Sequence, residues 1–426
     1  MRRVVITGIG LATSLGVGTE ETWKGLLEGR SGISRISGFD PTGLRTELGG
    51  EIAGFDPKPF VANRRSLRNM TRNDQMGMVG AALAVSAAGE DSFEEDAEDV
   101  GLFIGGNKET SHPDRMVDAA LAARNDDGTV DMETMGTEGA RRFYPLFYVE
   151  GLQGAALFYI SQAYGMKGAN TYFAGTADAG ASAIGQAFRS VQRGESVVAV
   201  AGGFDDPTSW WSMAKMDGLG VLSTSNDLGA RACRPFSSGR DGSILGEGAA
   251  FVVLEEAERA AARGARVYAE VVGVGGGFDT EGLLTPSPEG RGLAIALRAA
   301  LADAELDPGD ISYIAAHGCG TVACDSSEAA AIRSVFGTGG GLVASSVKPA
   351  TGHLVAGAGA LNFAVAALAL DSGVVPPTLN LDEVAPECEG IDWVPNEARE
   401  MEVATALAVG RGLEGQNVVL ALRAAG

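Results

Sequence analysis

A chain of 426 residues is too long for one ordinary core, and its formal net charge of −22 argues against a nucleic-acid surface. Hydrophobic residues at 45% and charged residues at 21% describe a globular protein and exclude a disordered one. Cys233, Cys319, Cys324 and Cys388 fit no disulfide framework, and Cys319 and Cys324 lack the second pair of a zinc spacing, so reduced thiols, no metal and a cytoplasmic location are expected.

The first ten residues run from charged to apolar without a signal-peptide pattern. The longest apolar run, near 363–370, is too short to cross a bilayer, so no membrane is expected as a partner. Residues 4–7 predict a buried strand stopped by Gly8-Ile9-Gly10. These glycines do not complete a dinucleotide fingerprint, which argues against a nicotinamide cofactor. Residues 63–72 hold the densest positive cluster in the chain, and helical spacing would put Arg64, Arg65, Arg68 and Arg72 on or near one face. That face is either simply solvated or a dock for an anionic partner. A buried helix over 74–89 and a strand over 100–104 follow. Lys108, Glu109, His112 and Asp114 then fall close together in an irregular stretch, with His112 read as an ordinary loop histidine. Residues 146–164 read as helical after their first turn.

The stretch 170–206 predicts a strand, a turn at Gly175-Thr176-Ala177, a helix and a second strand at 197–201. Ala183, Ile184, Ala187, Phe188 and Val191 give that helix its apolar face. A turn at a helix N-terminus favours a thiolate or an oxyanion, yet no Cys or Ser occupies this one. Further on, a strand over 249–254, an amphipathic helix over 255–263 and a strand over 268–274 ending in three glycines are expected. A helix over 292–304 and a strand over 311–315 come next, and 342–370 repeats strand, turn and helix. Two runs of the same elements predict a layered α/β duplication with halves 1–258 and 259–426. Two of the three histidines, His317 and His353, follow strands at glycine turns with Lys348 nearby, a placement that suggests a site.

Four segments carry a resemblance along essentially the whole chain: VVITGIGLATSLG, RPFSSGRDGSILGEGAAFVVLEE, AAHGCGTVACDSSEAAAIRSVFG and SSVKPATGHLVAGAGALN. They resemble the β-ketoacyl-acyl carrier protein synthase family of the thiolase fold, which implies a duplicated five-layered α-β-α-β-α architecture. In that family a turn Cys takes the acyl group, and two His bind the malonyl thioester oxygen during decarboxylative condensation. A Lys supports them. The motifs carry the histidines to His317 and His353 and the lysine to Lys348. Substrate arrives on the 4′-phosphopantetheine of an acyl carrier protein, so no cofactor of the chain's own is implied.

The ungapped register puts Ala177 at the Cys position, and a methyl group cannot attack a thioester. Asp178 beside it reads as the cap of the following helix. The family's Gly-Phe-Gly-Gly-Thr-Asn gate loop is replaced by 410–417, with Arg411, Leu413 and Glu414 the departures. An Arg-Gly start is similar to chain length factors, the non-condensing partners of ketosynthases in type II polyketide synthases, which also lack the Cys. The resemblance thus implies a subunit that pairs, through the strand near 171–174, with a Cys-containing ketosynthase in polyketide or polyene elongation. It further implies a tunnel drawing on Asn107, Thr110 and Asp114, and a carrier-protein dock at Arg64, Arg65, Arg68 and Arg72. Chain length factors usually hold Gln at the Cys position and have lost the His motifs, whereas His317, Lys348 and His353 persist here. One alternative is therefore a malonyl-carrier-protein decarboxylase, and another a synthase whose Cys was replaced by Ala.

Overall fold

The computed structural model describes residues 1–425 apart from 90–92, 94, 95, 108–112, 144 and 340. The first half supplies β1 (Val4–Thr13), β2 (Val100–Gly106), β3 (Asn170–Ala174), β4 (Val198–Asp205) and β5 (Gly248–Glu256). The second supplies β6 (Ala269–Phe278), β7 (Tyr313–Ala315), β8 (Val343–Ser345), β9 (Thr405–Arg411) and β10 (Gln416–Ala424). Across the sheet they run β8-β7-β9-β10-β6-β1-β5-β4-β2-β3. Each half thus has the order third, second, fourth, fifth, first, and the directions match too. The second strand of each half pairs parallel with the third and fourth, and the remaining pairs are antiparallel. The halves join where Val4 to Ile6 of β1 run antiparallel to Ala269 to Val271 of β6.

Between the two half-sheets lie helices α3 (Ala179–Arg193) and α6 (Ala358–Ser372), which pack on each other and share one apolar core. Outside them, α1 (Arg72–Ala88) and α2 (Ala155–Tyr164) cover the first half, and α4 (Arg291–Ala304) and α5 (Val322–Phe336) the second. This is the duplicated five-layered α/β architecture expected from the sequence. The apolar run of α6 is longer than the sequence reading allowed: Val355–Ser372 is long and apolar enough to cross a membrane, but 89% of it is buried inside the protein. It is apolar on all sides because a layer of structure covers it on every side.

The expected strand ends at the glycines are wrong. β1 continues through Gly8 and Gly10, and β6 through Gly273, Gly275 and Gly277. These alternate residues face the outer helix, and no room exists there for a side chain. A Cβ on Gly8 would stand 2.3 Å from the Ala84 carbonyl oxygen, and one on Gly10 2.3 Å from that of Gly80. On Gly275 it would stand 2.1 Å from the Ala296 oxygen, and on Gly277 2.0 Å from the Gly292 oxygen. The glycines mark helix-on-strand contact, not turns.

Two other expectations change. Residues 146–164 split into Phe147–Glu150 and α2. Residues 64–72 do not form a helical face, because Ser66–Arg68 is a single 3₁₀ turn and α1 starts only at Arg72. Thr71 and Asp74 form a reciprocal capping box that sets this start. Arg72 turns inward, donating from Nε to Glu247 at 2.9 Å and lying 5.0 Å over the Phe55 ring. Arg64, Arg65 and Arg68 stay exposed.

Gly275→Ala should lower stability by about 2–3 kcal/mol through overpacking against α4. Gly276→Ala, where a Cβ meets nothing within 4 Å, should shift it by no more than about 0.5 kcal/mol. Denaturant unfolding of the two variants checks this, and equal losses would refute it.

Candidate functional site

Ala177 sits in the turn between β3 and α3 and is 1% exposed. Its carbonyl oxygen is packed against Gly359 of α6 and Gly410 of β9, where a Cβ would come within 2.7 and 2.9 Å of it. This first-half turn therefore packs against the inner elements of the second half. Thr176 ties it to the loop after β9: its Oγ1 donates to Glu414 Oε2 at 2.7 Å and accepts from the Leu413 N–H at 2.7 Å. Leu413 and Glu414 thus rest against the turn. Arg411 is different, being the last residue of β9 and buried. Its guanidinium donates to Asn417 at 2.9 Å, to the Cys324 carbonyl at 3.0 Å and to Ser327 at 3.0 Å, and it pairs with Asp279 at 3.3 Å.

Asp178 occupies the position before α3 but makes no capping hydrogen bond, contrary to expectation. Its backbone is already helical (φ −84°, ψ −25°), whereas a capping residue needs an extended conformation to turn its side chain back onto the helix. The carboxyl is buried with Oδ1 unpartnered, and burial, reinforced by Glu414, pushes it up to about 6.

His317 leads a turn after β7 whose backbone is held from below by α5. Glu328 accepts from the N–H groups of His317 (2.7 Å) and Gly318 (2.8 Å), and Asp325 from those of Cys319 (3.0 Å) and Gly320 (3.1 Å). Four consecutive amides are thus saturated by two carboxylates one helical turn apart. The sequence reading missed both acids, although the D-S-S-E spacing on an alanine-rich helix was a visible signal. Buried Lys348 donates its Nζ to the His317 carbonyl. The His317 and His353 rings stand edge to face with centroids 5.3 Å apart. Burial, then the charge of Lys348, drives both imidazoles well below their ordinary range, so both are neutral at pH 7. His353 Nδ1 accepts from the Val355 N–H at 3.0 Å, which leaves its proton on Nε2. Lys348 is itself lowered by burial.

Ala177, His317 and His353 line one cavity of about 280 Å³, and Leu413 and Arg411 border it. Cys319 and Cys324 also line it, which the sequence reading did not foresee. Hydrogen bonds from Cys324 and Thr321 push the Cys319 thiol down to about 6. Of the tunnel residues, Asn107 and Asp114 do not line the cavity. Asn107 lies half-buried just past β2, Asp114 is exposed on the helix Pro113–Ala122, and Thr110 and His112 fall outside the described residues. The Arg64, Arg65 and Arg68 cluster does not line the cavity either.

Asp178 yields a pH signature. Its folded carboxyl, near 6, binds a proton more tightly than the unfolded one near 3.8, so its burial costs nothing below about pH 4. The cost grows as pH rises to about 6 and is then constant. Asp178→Asn should come close to the parent near pH 4 and exceed it above pH 6 by on the order of 3 kcal/mol. Unfolding titrations from pH 4 to 7 test this, and parallel curves would refute it.

With this geometry in hand, the likeness to known proteins is direct. Residues 1–260 match the Beta-ketoacyl synthase, N-terminal domain, and residues 268–382 the Beta-ketoacyl synthase, C-terminal domain. The 3-oxoacyl-[acyl-carrier-protein] synthase 2 of Staphylococcus aureus (strain COL) is 34% identical over 426 residues, covering 99% of this chain and 98% of that protein. The solved ishigamide ketosynthase/chain length factor superposes with a TM-score of 0.88 at 31% identity, covering 100% of both chains. A type II polyketide synthase ketosynthase, solved with its acyl-carrier protein and bound to the hexaketide, gives 0.83 at 26% identity, again covering 100% of both. The matched domains, the repeated strand order and the paired histidine turns together establish that this chain belongs to the β-ketoacyl synthase family.

Proposed function

We propose that this chain is a non-condensing, chain-length-factor-like subunit that works beside a Cys-containing ketosynthase on chains carried by an acyl carrier protein. The observation that carries the reading is Ala177: the turn at the head of the cavity offers a buried methyl where the family places its nucleophile. The clasp of Thr176 on Leu413 and Glu414 supports it, because the loop that must move to admit an acyl chain is tied to that same turn. Pairing is supported at the sheet edge. Among the described residues β3 pairs with β2 alone, leaving its other edge open. Phe158 is exposed on α2, which packs against β3, and Leu152 is exposed just before that helix. An open edge beside apolar side chains is a surface to be covered by another subunit. The relatives' names support the substrate class, since one acts on acyl-carrier-protein thioesters and another was solved with its carrier protein.

A second reading, malonyl-carrier-protein decarboxylation, is favoured by the histidine pair. Neutral His353 with its proton on Nε2, set 5.3 Å from His317, is suited to donate to a thioester oxygen as the C–C bond to CO₂ breaks and an enolate forms. The isolated chain incubated with malonyl-carrier protein distinguishes the two, because CO₂ release without a partner belongs to the second reading alone.

Two outcomes are expected. Elongation by a purified Cys-containing ketosynthase encoded beside this chain should need it, with activity falling at least tenfold in its absence; equal activity without it would sink the pairing reading. Reversing Arg65 and Arg68 to Glu should weaken coupling to the acidic carrier protein about tenfold at low salt and much less at high salt. Unaltered salt-dependent binding would retire that dock.

A further inference from the structure

The two cavity thiols have no part in the reading above, and they are not isolated. Cys319 is third in the His317 turn, and Cys324 lies in the first turn of α5, where its N–H donates to Thr321 Oγ1 at 3.3 Å. One nitrogen of His317 and the sulfurs of Cys319 and Cys324 all lie within 4.8 Å of one another. We propose that His317, Cys319 and Cys324 form a three-ligand site for a zinc-class divalent cation, with its fourth position open to the cavity.

Three arguments carry this. The donor set is one imidazole and two thiols, the combination that selects zinc over hard cations such as magnesium or calcium. Tetrahedral zinc, with Zn–S of about 2.3 Å and Zn–N of about 2.0 Å, needs donors about 3.5–3.8 Å apart. The present donors, all within 4.8 Å of one another, reach that spacing by closing about one ångström or less. Second, His317 is 3% exposed, and its Nδ1 has no hydrogen-bond partner, a costly state for a buried ring nitrogen that a ligand would relieve. Third, the support is rigid. Asp325 and Glu328 hold the backbone from His317 to Gly320, while Arg411 fixes the Cys324 carbonyl. The neighbouring buried charges are largely matched, Arg411 with Asp279 and Arg240 with Asp325 and Glu387. A dication bound by two thiolates adds no net charge to them. The sequence expectation of no metal rested on the spacing of Cys319 and Cys324 alone; the third donor lies two residues upstream of the first, in H-x-C-x4-C.

The site is independent of the pairing reading, and its test needs no partner protein. The full chain, stripped of metal and reduced, is titrated with Co²⁺. One equivalent should bind with an intense thiolate-to-cobalt band in the near ultraviolet and tetrahedral d–d bands in the visible, and Zn²⁺ should displace it. Cys324→Ser and, separately, Cys319→Ser should weaken binding about 100-fold or abolish the band. Cys388→Ser, at a buried thiol that does not line the cavity, should leave both intact, and unchanged circular dichroism confirms folding in each. Absence of a thiolate–cobalt band in the reduced protein would overturn the proposal. So would a band that survives both cavity substitutions, or a Cys319–Cys324 disulfide that persists under reducing conditions.

Discussion

Backbone lies directly on backbone in this protein. The first strand of each half presents glycine at alternate positions, and an outer helix settles onto that bare face until helix carbonyls stand where side chains would be. Such close packing brings α1 and α4 down onto their sheets and leaves the inner layer to α3 and α6. The result is a frame with little slack in which turns from both halves converge on one cavity.

That convergence gives the site its chemistry. The turn bearing Ala177 comes from the first half, while those bearing His317 and His353 come from the second. Two carboxylates grip four successive amides under His317, and Lys348 holds its carbonyl, so main-chain bonds position the ring against His353. Burial keeps both imidazoles neutral, hence donors through N–H and not cations. The first-half turn and the loop after β9 meet at a single hydroxyl: Thr176, next to the methyl of Ala177, holds Leu413 and Glu414.

Much of this was legible in the sequence because it depends on pattern. The duplication was readable from the order of elements, and His317, Lys348 and His353 from glycine turns and motifs. Features governed by packing were not. Gly8 and Gly275 look like strand breakers until the helix above them is known, and the arginine run looks like a helical stripe until Glu247 draws Arg72 inward. Asp178 has the composition of a cap without its geometry. Asp325 and Glu328 could have been found, since two acids one turn apart on an alanine-rich helix need a reason. The approach of Cys319 and Cys324 to His317 could not be read from cysteine spacing alone, because the turn between β7 and α5 creates it.

The side of β3 that pairs with no strand among the described residues sets a condition on how the protein stays in solution. A strand that pairs along one side only among the described residues, with Phe158 exposed nearby, is a template for any strand that meets it. Copies with that side uncovered are exposed to self-association. A covering layer along that edge is the simplest protection this architecture has.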